Sequence, residues 1–127
     1  ELAREWVLAQ ARRGRLPLAP EDVGSHWSGD VQVDVVAINW REKAILLGEC
    51  KWGTDVVGRG LIRELVEDKT PKVLADLPDG GQGWPVYHAF FARGGFTEAA
   101  QAEGERQRVL LVPLAQLDET LRGAADL

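Results

Sequence analysis

Apolar residues recur along this chain with two periods, and the switches between them mark out its elements. Leu2, Trp6 and Ala9, with Ala3 and Val7 beside them, form a stripe at helical spacing, so Glu1 to Arg13 reads as a helix that Gly14 ends. A Pro-containing connection, Leu16 to Pro20, leads to a short predicted strand near Val23 to Trp27. Val31 to Asn39 (VQVDVVAIN) is rich in β-branched residues and reads as a strand. After the polar turn Trp40 to Lys43, Ala44 to Trp52 (AILLGECKW) reads as the next, forming an antiparallel hairpin with its predecessor. Gly53, Thr54 and Asp55 supply a break, and a helix is predicted from about Val57 to Leu77, its continuity challenged by Gly58, Gly60 and Pro71. Beyond the loop Asp79 to Gly83, Pro85 to Ala92 reads as a buried strand and Thr97 as the cap of a helix through Glu103. Arg108 to Val112 gives a last strand and Leu114 to Leu121 a last helix. The order α-β-β-β-α-β-α-β-α implies an α/β domain, a mixed central sheet flanked by helices.

The hairpin gathers chemistry. Alternate strand residues share a face, so Ile45, Leu47, Glu49 and Lys51 lie on one side, as do Gln32, Asp34, Val36 and Ile38. With a four-residue turn at 40–43, Ile38 faces Ile45, Val36 faces Leu47, Asp34 faces Glu49, and Gln32 faces Lys51. An apolar patch then occupies the turn end and a charged cluster the far end. Opposed carboxylates whose Cβ atoms are about 4.5–5.5 Å apart repel, and burying either without a partner is costly. Lys51 offsets one of the two charges. A divalent cation would offset the rest, and Mg²⁺ favours one or two carboxylates plus water and phosphate oxygens.

Composition limits the alternatives. The chain has 127 residues, enough for one core without staples, and no apolar run approaches the roughly 20 residues of a membrane span. A lone Cys50 excludes an internal disulfide framework and points to a reducing, cytoplasmic setting. The net charge of −5 argues against a self-sufficient nucleic-acid binder. It is uneven, with nine basic and nine acidic side chains in residues 1–63 against six and eleven in 64–127, so an anionic ligand is expected to meet the first half. Because the first residue is Glu1 and helix begins at once, the chain is expected to be part of a longer protein.

Asp34 followed by Glu49-x-Lys51 on the next strand, in an αβββαβ setting, resembles the PD-(D/E)XK nuclease superfamily and its restriction-endonuclease-like fold. Gly48-Glu49-Cys50-Lys51-Trp52, with Trp27 and Asp34 to Ala37 before it, is similar to domain of unknown function 234, which typically follows an archaeal-type ATPase domain. The run Phe90 to Leu117 also resembles Mrr-like restriction endonucleases. The resemblance implies metal-dependent cleavage of DNA phosphodiesters with Mg²⁺ or Mn²⁺. It assigns Asp34 and Glu49 to the metal, with the Cys50 carbonyl as an added ligand, and Lys51 to the attacking water. A first-helix carboxylate often joins this centre, here Glu1, with Glu5 as the alternative. Two departures stand out: Val33 replaces the proline of the motif, and no Gln-x-x-x-Tyr helix motif is present. Arg63 on the following helix is the candidate for a phosphate contact.

The remaining conspicuous residues have plainer readings. Cys50 is expected to fill space, His26 with Ser25 and Asp30 to cap backbone groups, and His88 to be a hydrogen-bonded core histidine. Trp27, Trp40 and Trp52 read as packing or rim residues. The glycines at 80, 81 and 83 stand between helix and strand, the wrong order for a phosphate loop. Expected partners are DNA, a linked ATPase domain and further copies of the chain, with no membrane. The alternative function is a catalytically silent nuclease-fold module that regulates or oligomerises with its ATPase.

Overall fold

Both faces of a central sheet are apolar, and each must be covered by helices. The computed structural model describes residues 2–28 and 31–125. In order they form α1 (Leu2–Arg12), β1 (Asp22–Ser28), β2 (Val31–Asn39), β3 (Ala44–Lys51), α2 (Arg59–Arg63), a π-helical segment (Glu64–Lys69), α3 (Thr70–Ala75), a 3-10 turn (Pro78–Gly81), β4 (Val86–Ala92), α4 (Glu98–Gln107), β5 (Val109–Pro113) and α5 (Leu114–Ala125). The strands lie side by side in sequence order. β1, β2 and β3 pair antiparallel, and β4 and β5 add on in parallel. This is the mixed sheet between helical layers that the periodicity predicts.

One face packs Ile38, Ile45, Leu47 and Phe90 against Ile62, Leu65, Val73 and Ala100 from the helices between β3 and β5. The opposite face packs Val35, Ala37, Leu46 and Phe91 against Ala3, Trp6 and Val7 of α1 and Leu117 of α5. β3 is central and contributes to both, so Ala44 to Glu49 are all buried. The hairpin closes through Trp40 to Lys43, with Ile38 opposite Ile45 and Val36 opposite Leu47, as the four-residue turn requires. Asn39 fixes it: its Oδ1 accepts the Glu42 N–H at 2.8 Å and its Nδ2 donates to the Ala19 carbonyl at 2.7 Å.

Two local features depart from the sequence reading. In the β1–β2 pair, Gly24 faces Val36 but His26 faces Val33, so Asp34 and Val35 together oppose one residue. This is a β-bulge, and it breaks the strict alternation expected along β2. Val31 and Val33 accordingly share the core layer of Ile38, whereas Val35 lies in the other. The predicted 57–77 helix begins at Arg59 and widens into a π turn before Pro71. Proline has no N–H and its ring clashes with the carbonyl four residues back, so a wider turn relieves the conflict. Thr70 adds to it by donating its hydroxyl to the Leu65 carbonyl at 2.7 Å.

The segments leaving β3 and β4 run together and frame one end of β3. The Arg93 N–H donates to the Lys51 carbonyl at 3.0 Å, and Val57 exchanges bonds with Gly95 and Thr97. A Cβ on Gly94 would collide with the carbonyl oxygen of Asp55 and lie 2.6 Å from that of Thr54, both backbone atoms. Gly94→Ala is therefore expected to lower the unfolding free energy by about 2–3 kcal/mol in urea denaturation, whereas Gly53→Ala, with open space around the glycine, should change it far less.

Candidate metal centre

The backbone ladder between β2 and β3 ends at Val35 and Gly48, and beyond that pair the bulge carries Asp34 into the gap between the strands. Its Oδ2 accepts the Cys50 N–H at 2.9 Å, standing in for a main-chain acceptor, and its Oδ1 accepts from Gln32 Nε2 at 3.4 Å. Asp34 is half-buried. Glu49 sits beside it on β3 with only 5% of its surface exposed. Burial raises the Glu49 pKa above the ordinary carboxylate range and the nearby Asp34 charge adds to the rise. A hydrogen bond from Lys69 opposes it, with a smaller contribution from Lys51.

The structure thus brings Asp34, Glu49 and Lys51 to one end of the hairpin, but the partner of Glu49 differs from the expected one. Lys69 Nζ lies 3.0 Å from Glu49 Oε1, 3.2 Å from the Gln32 carbonyl and 4.0 Å from Glu64 Oε1. Lys51 is exposed at the strand end and acts on Glu49 through space. Sequence reasoning did not single out Lys69, because only the π turn carries it to the sheet.

Cys50 is half-buried, and burial followed by the Asp34 charge pushes its thiol up to about 12. It remains protonated at neutral pH and serves as filler, as expected. Arg63, the candidate for a phosphate contact, donates its Nε to the buried Glu103 carboxylate at 3.1 Å, and no described bond links it to Asp34, Glu49 or Lys51. Burial alone would raise the Glu103 pKa, but hydrogen bonds from Gln107, Arg106 and Arg63 outweigh it and leave the group below its usual range. Glu103 therefore ties α2 to α4. Glu1, Asp30 and the side chains of His26 and Trp27 lie outside the described residues. Glu5 is exposed on α1.

A cleft of about 470 Å³ opens beside Asp34, lined by Arg4, Ser25, Gln32, Cys50 and Trp52 among others. Arg4 and Trp52 thus join the candidate site, Arg4 without any distinguishing signal in the sequence. The cleft borders Asp34 and Arg4, whereas Glu49 and Lys69 pair with each other outside its lining.

Behind Lys69, His88 Nε2 lies 2.9 Å from Thr70 Oγ1. The Leu65 carbonyl can only accept, so the Thr70 hydroxyl donates to it and His88 Nε2 must carry a proton. His88 is the hydrogen-bonded histidine that the strand pattern predicts.

The family model DUF234, described as Archaea bacterial proteins of unknown function, matches residues 1–67. Two solved structures share the fold. The MspJI restriction endonuclease in complex with a 27-mer oligonucleotide superposes with a TM-score of 0.53 at 21% identity, over 95% of this chain and 26% of that one. The protein of unknown function AF1548 gives 0.52 at 15% identity, over 91% and 59%. This chain thus spans less than two thirds of either. No curated protein matches it.

Burial lowers the His88 pKa from 6.5 to about 4. The unfolded chain therefore takes up a proton that the folded chain refuses, and stability should fall as pH drops from about 6.5 towards 4, by up to about 3 kcal/mol. Urea denaturation of wild type and His88→Gln across this window should show a shallower pH slope in the variant, since glutamine does not titrate.

Proposed function

The chain belongs to the DUF234 family, and on that premise we propose that it is a metal-dependent nuclease domain acting on DNA phosphodiester bonds. The observation that carries this reading is the buried Glu49 carboxylate beside Asp34, at the split between two strands of a restriction-endonuclease fold. The donor set fits a hard divalent ion. The Asp34 charge is felt at Glu49, and a lysine ammonium already lies among the oxygens of Glu49, Gln32 and Glu64. Mg²⁺ or Mn²⁺ bound there would polarise a phosphoryl oxygen and lower the pKa of a bound water.

In this reading Asp34 and Glu49 hold the ion, with the Cys50 carbonyl and a first-helix carboxylate, Glu1, completing the set. Lys51, exposed at the strand end, orients the attacking water and offsets charge that develops on the phosphate. Arg4 on the cleft wall attracts the phosphate backbone, and the exposed Trp52 ring offers a surface for a base. Arg63, engaged by Glu103, contributes indirectly by fixing α2 against α4. The MspJI structure holds an oligonucleotide, which supports DNA as the substrate class. The sequence resemblance extends the proposal to a domain at the C-terminal end of a cytoplasmic, ATPase-linked protein.

A second reading, a catalytically silent module that regulates a linked ATPase, draws on one observation: Lys69 already satisfies Glu49 without a metal. Cleavage separates the two. Asp34→Asn keeps an acceptor for the Cys50 N–H, and Lys51→Ala alters an exposed position, so both should stay folded by circular dichroism. Each is expected to cut DNA in Mn²⁺ at least ~100-fold more slowly than wild type. Undiminished rates in both variants would remove the mechanism, and no cutting by wild type would favour the silent module.

A further inference from the structure

Lys69 reaches Glu49 from the π-helical segment packed over the sheet, and its surroundings resemble those of a bound cation. Its ammonium is ringed by the Glu49 carboxylate at 3.0 Å, the Gln32 carbonyl at 3.2 Å and the Glu64 carboxylate at 4.0 Å, all oxygens. The side chain is only 22% exposed. A flexible surface lysine would not be held this way by chance contacts alone, and here the backbone holds it. The π turn from Glu64 to Lys69 advances the helix by one residue, the Thr70 hydroxyl locks the turn onto the Leu65 carbonyl, and His88 on β4 bonds that hydroxyl from the sheet.

We propose that Lys69 is a built-in counter-cation that competes with the divalent ion for Glu49, so that metal entry requires the ammonium to leave that carboxylate. The proposal rests on the metal reading given above. One oxygen of Glu49 cannot serve an ammonium and a divalent ion at full strength, since the two cations repel at such range. Without metal, Lys69 supplies the charge that a buried carboxylate beside Asp34 requires. A displaced ammonium would then be free to meet an anionic ligand arriving with the ion. Lys51 does not play this part, because it is exposed and makes no described bond to Glu49.

The test is calorimetric titration of the whole chain with Mn²⁺ alone, comparing wild type, Lys69→Met, Lys69→Arg and Glu49→Gln, with folding checked by circular dichroism. Lys69→Met removes the competitor with little change in side-chain shape and should bind Mn²⁺ about tenfold more tightly than wild type. Lys69→Arg keeps a cation and should stay near wild type, and Glu49→Gln should bind far more weakly. Thermal denaturation gives a second reading: the Lys69→Met variant should gain more stability from Mn²⁺ than wild type does. Equal affinity in wild type and Lys69→Met, with loss in Glu49→Gln, would overturn the competition and leave the metal centre standing. Weaker binding by folded Lys69→Met would overturn it too, making Lys69 a supporter of the ion. No binding in any form, Lys69→Met included, would overturn both the competition and the metal reading.

Discussion

A carboxylate taken out of water must be given a cation, and much of this fold serves that requirement at Glu49. The residue lies on the central strand, between the helical layers, with only 5% of its surface exposed. Asp34 in its neighbourhood worsens the electrostatic problem. The answer comes from a lysine on another element, positioned by a helical irregularity that would otherwise be a defect. Sheet, π turn and histidine therefore belong to one arrangement.

The two departures from regular geometry act at the same place for different reasons. In β2, the extra residue at Asp34–Val35 takes the aspartate out of the pleat and sets its carboxylate against the Cys50 N–H. In the helix, Pro71 and Thr70 widen a turn and so rotate Lys69 toward the sheet. Bulges and π turns both cost regular hydrogen bonding and persist where their neighbours hold them in place. Here those neighbours are a strand end on one side and the His88–Thr70 pair on the other.

Much of this was legible in the chain itself. The hairpin register follows from a polar four-residue turn between two strands whose apolar residues match, and the observed Val36–Leu47 and Ile38–Ile45 pairs agree. That register stops at Val35 and Gly48, so the expected Asp34–Glu49 and Gln32–Lys51 ladder pairs do not form, and the bulge instead sets Asp34 against the Cys50 N–H beside Glu49. The bulge could not be read the same way, because it appears only in the pairing with β1, a strand of weak pattern between Asp22 and Ser28. Lys69 was hidden for a related reason. A regular helix assigns faces by a fixed rotation per residue, and the π turn changes that rotation. The Arg63–Glu103 pair was not legible because the two residues lie 40 positions apart. Local pattern carries the elements and their neighbours in a hairpin, whereas ion pairs between distant elements depend on packing that no window of sequence contains.

The bulge separates the encoding of the hairpin from that of its acidic end. Val31 and Val33 share a core layer with Ile38 because one extra residue intervenes before Val35. Excising Asp34 alone would turn the bulge into a regular ladder, leaving every valine of β2 on the face it now occupies. Versions of this scaffold with and without a carboxylate at the strand split thus differ by a single codon of length.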